Sequence, residues 1–341
     1  MPAPIVREGG LTAMLSYLDF FSTNVQRTAT STAANCCRSL PVDTFEQVLS
    51  IAPILRGVLG YSDQRVVENA CLGLVRIVDS FRHHPDKLER LLDADLIAAV
   101  LALLVPGQAT VGPGTYTQVL RMLAHAARAS PEVAIALVDQ DIAATVYLIL
   151  VGVGAPTPDG TETAAIRQQH ADDDMLVLGN LVHRPKDQVQ EALSLVTELL
   201  PTLPRDGVFS SKPGKADKKV KVKREEDDDP GAALLAAAPA VPDGNVDVEI
   251  KVEEGVSPPA VASASSTRAA ANDRRIAHVS GTDRRANVVR FHTLLLPTLV
   301  DVYSASVGVQ VRTKALLGMA KTIQFCPEDA LDQILEVRRS R

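Results

Sequence analysis

The sequence predicts an all-α chain folded as a right-handed solenoid of stacked helical units. Three observations carry that expectation: composition, apolar periodicity and a repeat length. Aromatic residues are 4% of the 341 residues and there is no Trp, while 46% are hydrophobic, mostly Ala, Leu and Val. Strands favour aromatic and β-branched side chains, so this balance suits helices. Apolar residues recur at helical spacing, as in Val66, Ala70, Leu74, Ile77 and Val78. One helix pair cannot bury such a stripe alone, so stacked neighbours must cover it.

The repeat shows in three similar segments: Glu8-Gly9-Gly10-Leu11, Asp93-Ala94-Asp95-Leu96 and Asp139-Gln140-Asp141-Ile142, each opening an apolar run. Leu11 and Leu96 are 85 residues apart, and Leu96 and Ile142 are 46 apart. The first separation is two units of roughly 42 residues, the length of armadillo or HEAT repeats. A second set of helices lies between: 24–40, 63–81, 115–130, 172–183 and 307–324. Ser39 and Ser80 occupy matching places in the first two. A short helix, a Gly or Asp break, a middle helix and a longer third helix make a three-helix unit, which favours armadillo over two-helix HEAT. Gly9-Gly10 suits the break, because glycine reaches positive φ at little cost. The pattern holds over residues 1–204 and resumes over 286–336, ahead of a basic tail at 337–341. Both ends read as cut within a longer array. Between the two parts, residues 205–285 carry Lys-rich, Asp/Glu-rich, Ala/Pro and Ser tracts that cannot bury enough apolar surface to offset ordering entropy. That segment is expected to be a long disordered insertion.

Several function classes are excluded. The formal charge is −6, which disfavours whole-molecule attraction to nucleic acid or anionic membrane. Four cysteines in so long a chain, at 36, 37, 71 and 326, form no disulfide framework and no zinc spacing, so a reducing compartment, nucleus or cytoplasm, is expected. Apolar runs stop short of the roughly 20 residues that span a bilayer. No phosphate loop, dinucleotide fingerprint or nucleophile motif is present, and no catalytic residue, metal or cofactor is expected. His83-His84 and His170 near Asp172–Asp174 lack ligand spacing. The three aspartates suit a helix N-terminus instead. Met14, Met122, Met175 and Met319 fall on apolar faces as core filler.

One block is more specific. Glu8-Gly9-Gly10-Leu11, the run Tyr17-Leu18-Asp19-Phe20-Phe21-Ser22, then Asn24, Gln26-Arg27 and Ala33-Ala34-Asn35-Cys36-Cys37 closely resemble the armadillo region of HECT-type ubiquitin ligases. The subgroup is the ubiquitin-fusion-degradation and thyroid-receptor-interacting-protein ligases. Ser62-Asp63, Glu68, Cys71-Leu72, Val78-Asp79 and Phe81 extend the match. The resemblance implies a non-catalytic, substrate-recruiting solenoid. Its partners would be protein substrates bearing fused ubiquitin or degrons, with a conjugating enzyme and the proteasome engaged only through the full-length ligase. The catalytic cysteine of such a ligase lies in a HECT domain outside this sequence. The alternative is a free-standing armadillo adaptor in nuclear transport or assembly.

The wider armadillo fold places an Asn on third helices, where its amide can bond an extended peptide. Asn35 and Asn180 match that position, and alignment puts Arg76, His125 and Lys321 in the same row. Such a row would form a locally positive groove suited to acidic segments; the competing reading is ordinary solvated polar residues. The tryptophan partners of basic-peptide grooves are replaced by Ser31, Leu72, Arg121, Leu176 and Leu317. Lys218, Lys219, Lys221, Lys223 and Arg224 resemble a nuclear localisation signal, and Lys223 and Lys251 sit in short SUMO-acceptor patterns.

Overall fold

The structure is a computed structural model that describes residues 3–105, 111–156, 173–203 and 285–339. The expected insertion, the basic cluster and both SUMO patterns lie outside the described residues. Helices account for the regular structure, with no strand among the described residues. In order they are α1 (Ala3–Arg7), α2 (Gly10–Leu15), α3 (Thr23–Cys36), α4 (Phe45–Leu59), α5 (Gln64–Phe81), α6 (Pro85–Leu91), α7 (Ala94–Ala102), α8 (Pro113–Ala129), α9 (Pro131–Asp139) and α10 (Ile142–Val151). Then come α11 (Asp173–His183), α12 (Lys186–Leu199), α13 (Arg285–Ala305), α14 (Val309–Gln324) and α15 (Glu328–Arg339). All belong to one compact unit.

The helices start where the sequence supplies caps. Asp63, Asp93, Ser130 and Asp141 each accept a hydrogen bond from the backbone N–H three residues on, satisfying an orphan donor. Asp141 does so from a left-handed conformation, φ 54. Gly9 turns the chain between α1 and α2 at φ 78, as expected of the Gly-Gly break. α3 ends at Cys36 rather than Leu40, because Cys37 and Ser39, the latter at φ 48, leave helical geometry.

Stacking gives two rows. α2 packs on α4 and α4 on α7, while α10 packs on α13. The other row runs α3 on α5, α5 on α8, α8 on α12 and α12 on α14. Between the rows lies one continuous apolar core. Leu11, Leu96 and Ile142, the matched residues of the repeat, are all buried within it. Each such side chain contributes about 1.5–3 kcal/mol on burial. Two units depart from the three-helix pattern: a short first helix and the middle helix merge into α4 and into α13. Each merged helix contains a proline, Pro53 and Pro297, which removes one backbone donor near the place where other units break the chain. This is an armadillo-type α-solenoid, with HEAT-like merging in two units.

Candidate functional site

The row of longer helices, α3, α5, α8, α12 and α14, carries most of the candidate residues, and its polar groups act mainly between neighbouring helices. Arg76 on α5 donates from Nη1 to the backbone oxygen of Ala34, at 2.6 Å, and to Asn35 Oδ1, at 3.1 Å. Those acceptors lie in the last turn of α3, where carbonyls lack intrahelical partners and the macrodipole is negative. A guanidinium there satisfies both needs. Burial, with the neighbouring Arg38 charge second, holds Arg76 below the ordinary arginine value. Asn69, two turns earlier, donates to Arg27 O and Thr30 Oγ1 of the same helix.

Further joints follow the same pattern with different groups. His125 on α8 places Nδ1 3.2 Å from Asp79 Oδ1 on α5. Glu68 on α5 accepts from the backbone N–H of Gly112, at the start of α8. Arg121 and Arg128 on α8 pair with Glu191 and Glu198 on α12. Gln190 on α12 bonds Gln310, and its backbone oxygen accepts from Lys314 Nζ, which also reaches Ser194 Oγ. Lys321 on α14 donates to Thr197 O at 2.5 Å and to Leu200 O at 3.3 Å, at the end of α12. Arg76 and Lys321 thus do the same job at different joints: each cation caps the C-terminal carbonyls of the preceding helix.

The structure brings Asn35, Arg76 and His125 onto one row and corrects two other candidates. Asn180 is on α11, which packs against α10 and α13, and the fourth place in the row belongs to α12. Its amide donates to Ile149 O and Leu150 O, both at 2.8 Å, and so caps α10. The sequence assigned 172–183 to the row because its Leu-Gly-Asn-Leu motif mimics a third helix. Lys321 stands in the row but is only 7% exposed, its ammonium directed into the joint rather than out to a ligand. Burying that charge is tolerable because carbonyl oxygens receive it. Asn35 remains exposed, and among the described residues no bond is made by its amide nitrogen.

Sequence reading missed the pairing partners. One signal was available: Arg121 and Glu191, and again Arg128 and Glu198, are separated by 70 residues. Two Arg–Glu pairs at one offset, themselves two helical turns apart, mark a pair of facing helices. The Arg27–Asp63 pair is bidentate, with distances of 2.6 to 3.2 Å, and ties α3 to the cap of α5. It draws the Asp63 carboxyl down to about 2, chiefly through the hydrogen bond from Arg27. The buried thiols of Cys37 and Cys71 are pushed up to about 12 by desolvation, which makes them poor nucleophiles. Among the described residues no group of three His, Cys, Asp or Glu side chains is placed to hold a metal ion. No single described helix is long and apolar enough to cross a membrane.

The stacked helices define the class, an armadillo-type solenoid, and comparison with known proteins adds its relatives. The chain is 30% identical to E3 ubiquitin-protein ligase UPL3 of Arabidopsis thaliana over 339 residues, 98% of this chain and 15% of that protein. It is 30% identical to E3 ubiquitin-protein ligase TRIP12 of Danio rerio over 343 residues, 97% of this chain and 16% of that protein. The resemblance to ubiquitin-fusion-degradation and thyroid-receptor-interacting-protein ligases therefore runs through nearly the whole chain, which spans about one sixth of those relatives' length. No protein-family model matches. A designed armadillo repeat protein aligns over 92% of this chain and 99% of its own, at 12% identity and a TM-score of 0.36, too loose a likeness to add to what the stacking shows.

Proposed function

We propose that this solenoid is a non-catalytic recruiting surface of a HECT-type ubiquitin ligase. The observation that carries the reading is 30% identity with a segment of each of two such ligases, spread over nearly all of this chain. The role is geometric. A helical surface holds a substrate, or the ubiquitin already fused to it, beside a transferase module elsewhere in the ligase. Its contribution is effective concentration and orientation rather than bond-making. The buried, high-pKa thiols of Cys37 and Cys71 fit that division of labour.

Asn35, Arg76 and His125 are the residues we propose for substrate contact, with exposed Arg38 beside them. Arg76 and Arg38 are two guanidiniums with no carboxylate partner among the described residues, whereas Arg27, Arg121, Arg128 and Arg290 each have one. An acidic peptide segment is the complementary ligand. Nuclear entry through Lys218–Arg224 and modification at Lys223 or Lys251 belong to the same proposal. The test is a ubiquitination assay on the full-length ligase, comparing intact protein with a form lacking this region. Loss of substrate turnover, with thioester formation on the HECT cysteine intact, is expected. Equal turnover in both forms would remove the recruiting role.

A further inference from the structure

The joint between α3 and α5 ends on a cluster of donors that the fold does not use up. Arg76 donates from Nη1 to Ala34 O and to Asn35 Oδ1, while its Nε and Nη2 make no bond among the described residues. With Oδ1 held by Arg76, the exposed Asn35 keeps its Nδ2 as an unused donor. Arg38 lies one helical turn on from Asn35, its backbone N–H bonded to Asn35 O at 3.4 Å. Its guanidinium is exposed and has neither a hydrogen bond nor an ion pair among the described residues. The two guanidiniums are near enough for the Arg38 charge to weaken the hold of Arg76 on its proton, second to burial.

Other joints of the row balance their cations differently. Arg27, Arg121 and Arg128 each meet a carboxylate across their joint. Here none is at hand: α3 contains no acidic residue, and the two on α5 are engaged elsewhere, Glu68 by Gly112 N–H and Asp79 by His125. A carboxylate ligand has one charge and two oxygens, enough for one guanidinium fork. A phosphate monoester carries about −1.5 to −2 charges at neutral pH and three acceptor oxygens. Guanidinium forks match that geometry, and the half-burial of Arg76 reduces screening of its charge. Two arginines make too short a track for nucleic acid, whose affinity comes from many phosphate contacts.

We propose that the α3–α5 joint binds a phosphorylated serine or threonine in a recruited protein segment, the phosphate shared between Arg38 and Arg76 with Asn35 Nδ2 as the third donor. The inference rests on the recruiting role proposed above and narrows its ligand from acidic segments in general to phosphorylated ones. A phosphate there answers both positive charges at once, which no single acidic side chain does. Recruitment then follows phosphorylation of the substrate, because the unmodified hydroxyl offers these cations no charge to meet.

Fluorescence anisotropy on the full 341-residue chain tests this. The probes are fluorescein-labelled degenerate peptides with serine, glutamate or phosphoserine fixed at the centre. The phosphoserine set should bind about 10- to 100-fold tighter than the glutamate set, as added hydrogen bonds to a charged group imply. Inorganic phosphate should displace it far less well than the same unlabelled peptides do. Arg38→Ala removes a side chain that makes no bond among the described residues, so it should keep the wild-type Tm and lose the preference. Asn35→Asp gives Arg76 a resident carboxylate and should lose the preference too. Equal binding of the glutamate and phosphoserine sets would overturn the inference and leave the acidic-segment reading standing, whereas binding of neither would remove both. A preference that survives Arg38→Ala would put the phosphate elsewhere on the chain, and equal displacement by inorganic phosphate would rule out the peptide. Either result overturns the proposal.

Discussion

Asp63 has two jobs, capping α5 through Val66 N–H and pairing with Arg27 across the first joint. Its carboxyl titrates near 2 in the folded chain, below the ordinary 3.8. A depressed acid stabilises the fold above the ordinary value and loses that contribution as pH falls through the folded one. Acid unfolding followed by circular dichroism should therefore show stability falling between pH 3.8 and about 2. Asp63→Asn keeps a good cap but removes the charge, so the variant's stability should change less across that window. An identical slope would show that the pair is not felt. Lys321 makes a different prediction. Lys321→Met keeps the bulk and leaves Thr197 O and Leu200 O without their cation, at a cost of about 1–3 kcal/mol, read as a lower Tm. An unchanged Tm would mean that the ammonium adds nothing to the joint. The sequence showed that Lys321 belonged to the row but not that its charge points inward. Burial depends on the neighbouring helix, and α12 was unrecognised.

Helices rather than residues account for what was legible. Capped, strongly striped elements such as α5 and α8 follow from local sequence, because Asp63 or a leading Pro113 starts them and apolar spacing continues them. The assignment of 172–183 to the long-helix row failed for a tertiary reason. α11 and α12, of 11 and 14 residues, are split by Arg184-Pro185, and only packing decides which faces α8. Glycines separate the two kinds of close approach. Gly152 has φ +91, and a Cβ there would meet Asn180 Oδ1 at 3.0 Å, so Gly152→Ala should lower the melting temperature. Gly73 has ordinary helical φ, and a Cβ would meet Ala34 only at ordinary contact distance, 3.7 Å. Gly73→Ala should raise stability by about 0.5–1 kcal/mol, the helix-propensity difference. A loss of stability at Gly73 would mean that α3 and α5 pack more tightly than described.

At the scale of the whole molecule, a polar lacing runs along one side of a continuous apolar core. Each joint of the long-helix row uses side chains from both helices, so removing one contact weakens one joint and leaves the others. The fold class, the repeat length and the kinship with ubiquitin ligases were all readable, since they rest on periodicity and on a local block around Tyr17–Cys37. The row of polar side chains was only partly readable. A polar residue on a repeated helix position looks the same in sequence whether it meets a ligand or a neighbouring carbonyl. Arg76→Ala tests both roles in one protein: the Tm should fall by a few degrees, as for a lost cap of about 1 kcal/mol, and a full-length ligase carrying it should lose turnover of acidic substrates. Reduced stability with undiminished turnover would restrict Arg76 to the joint.

The central claim is the order of the long-helix row, with α12 rather than α11 beside α8. Paired cysteines and a short bis-maleimide cross-linker read it directly, in a Cys326→Ser background where the other native thiols are buried. Arg121→Cys with Glu191→Cys should cross-link within the folded chain, and His125→Cys with Asn180→Cys should not. The reverse result would contradict the described stacking.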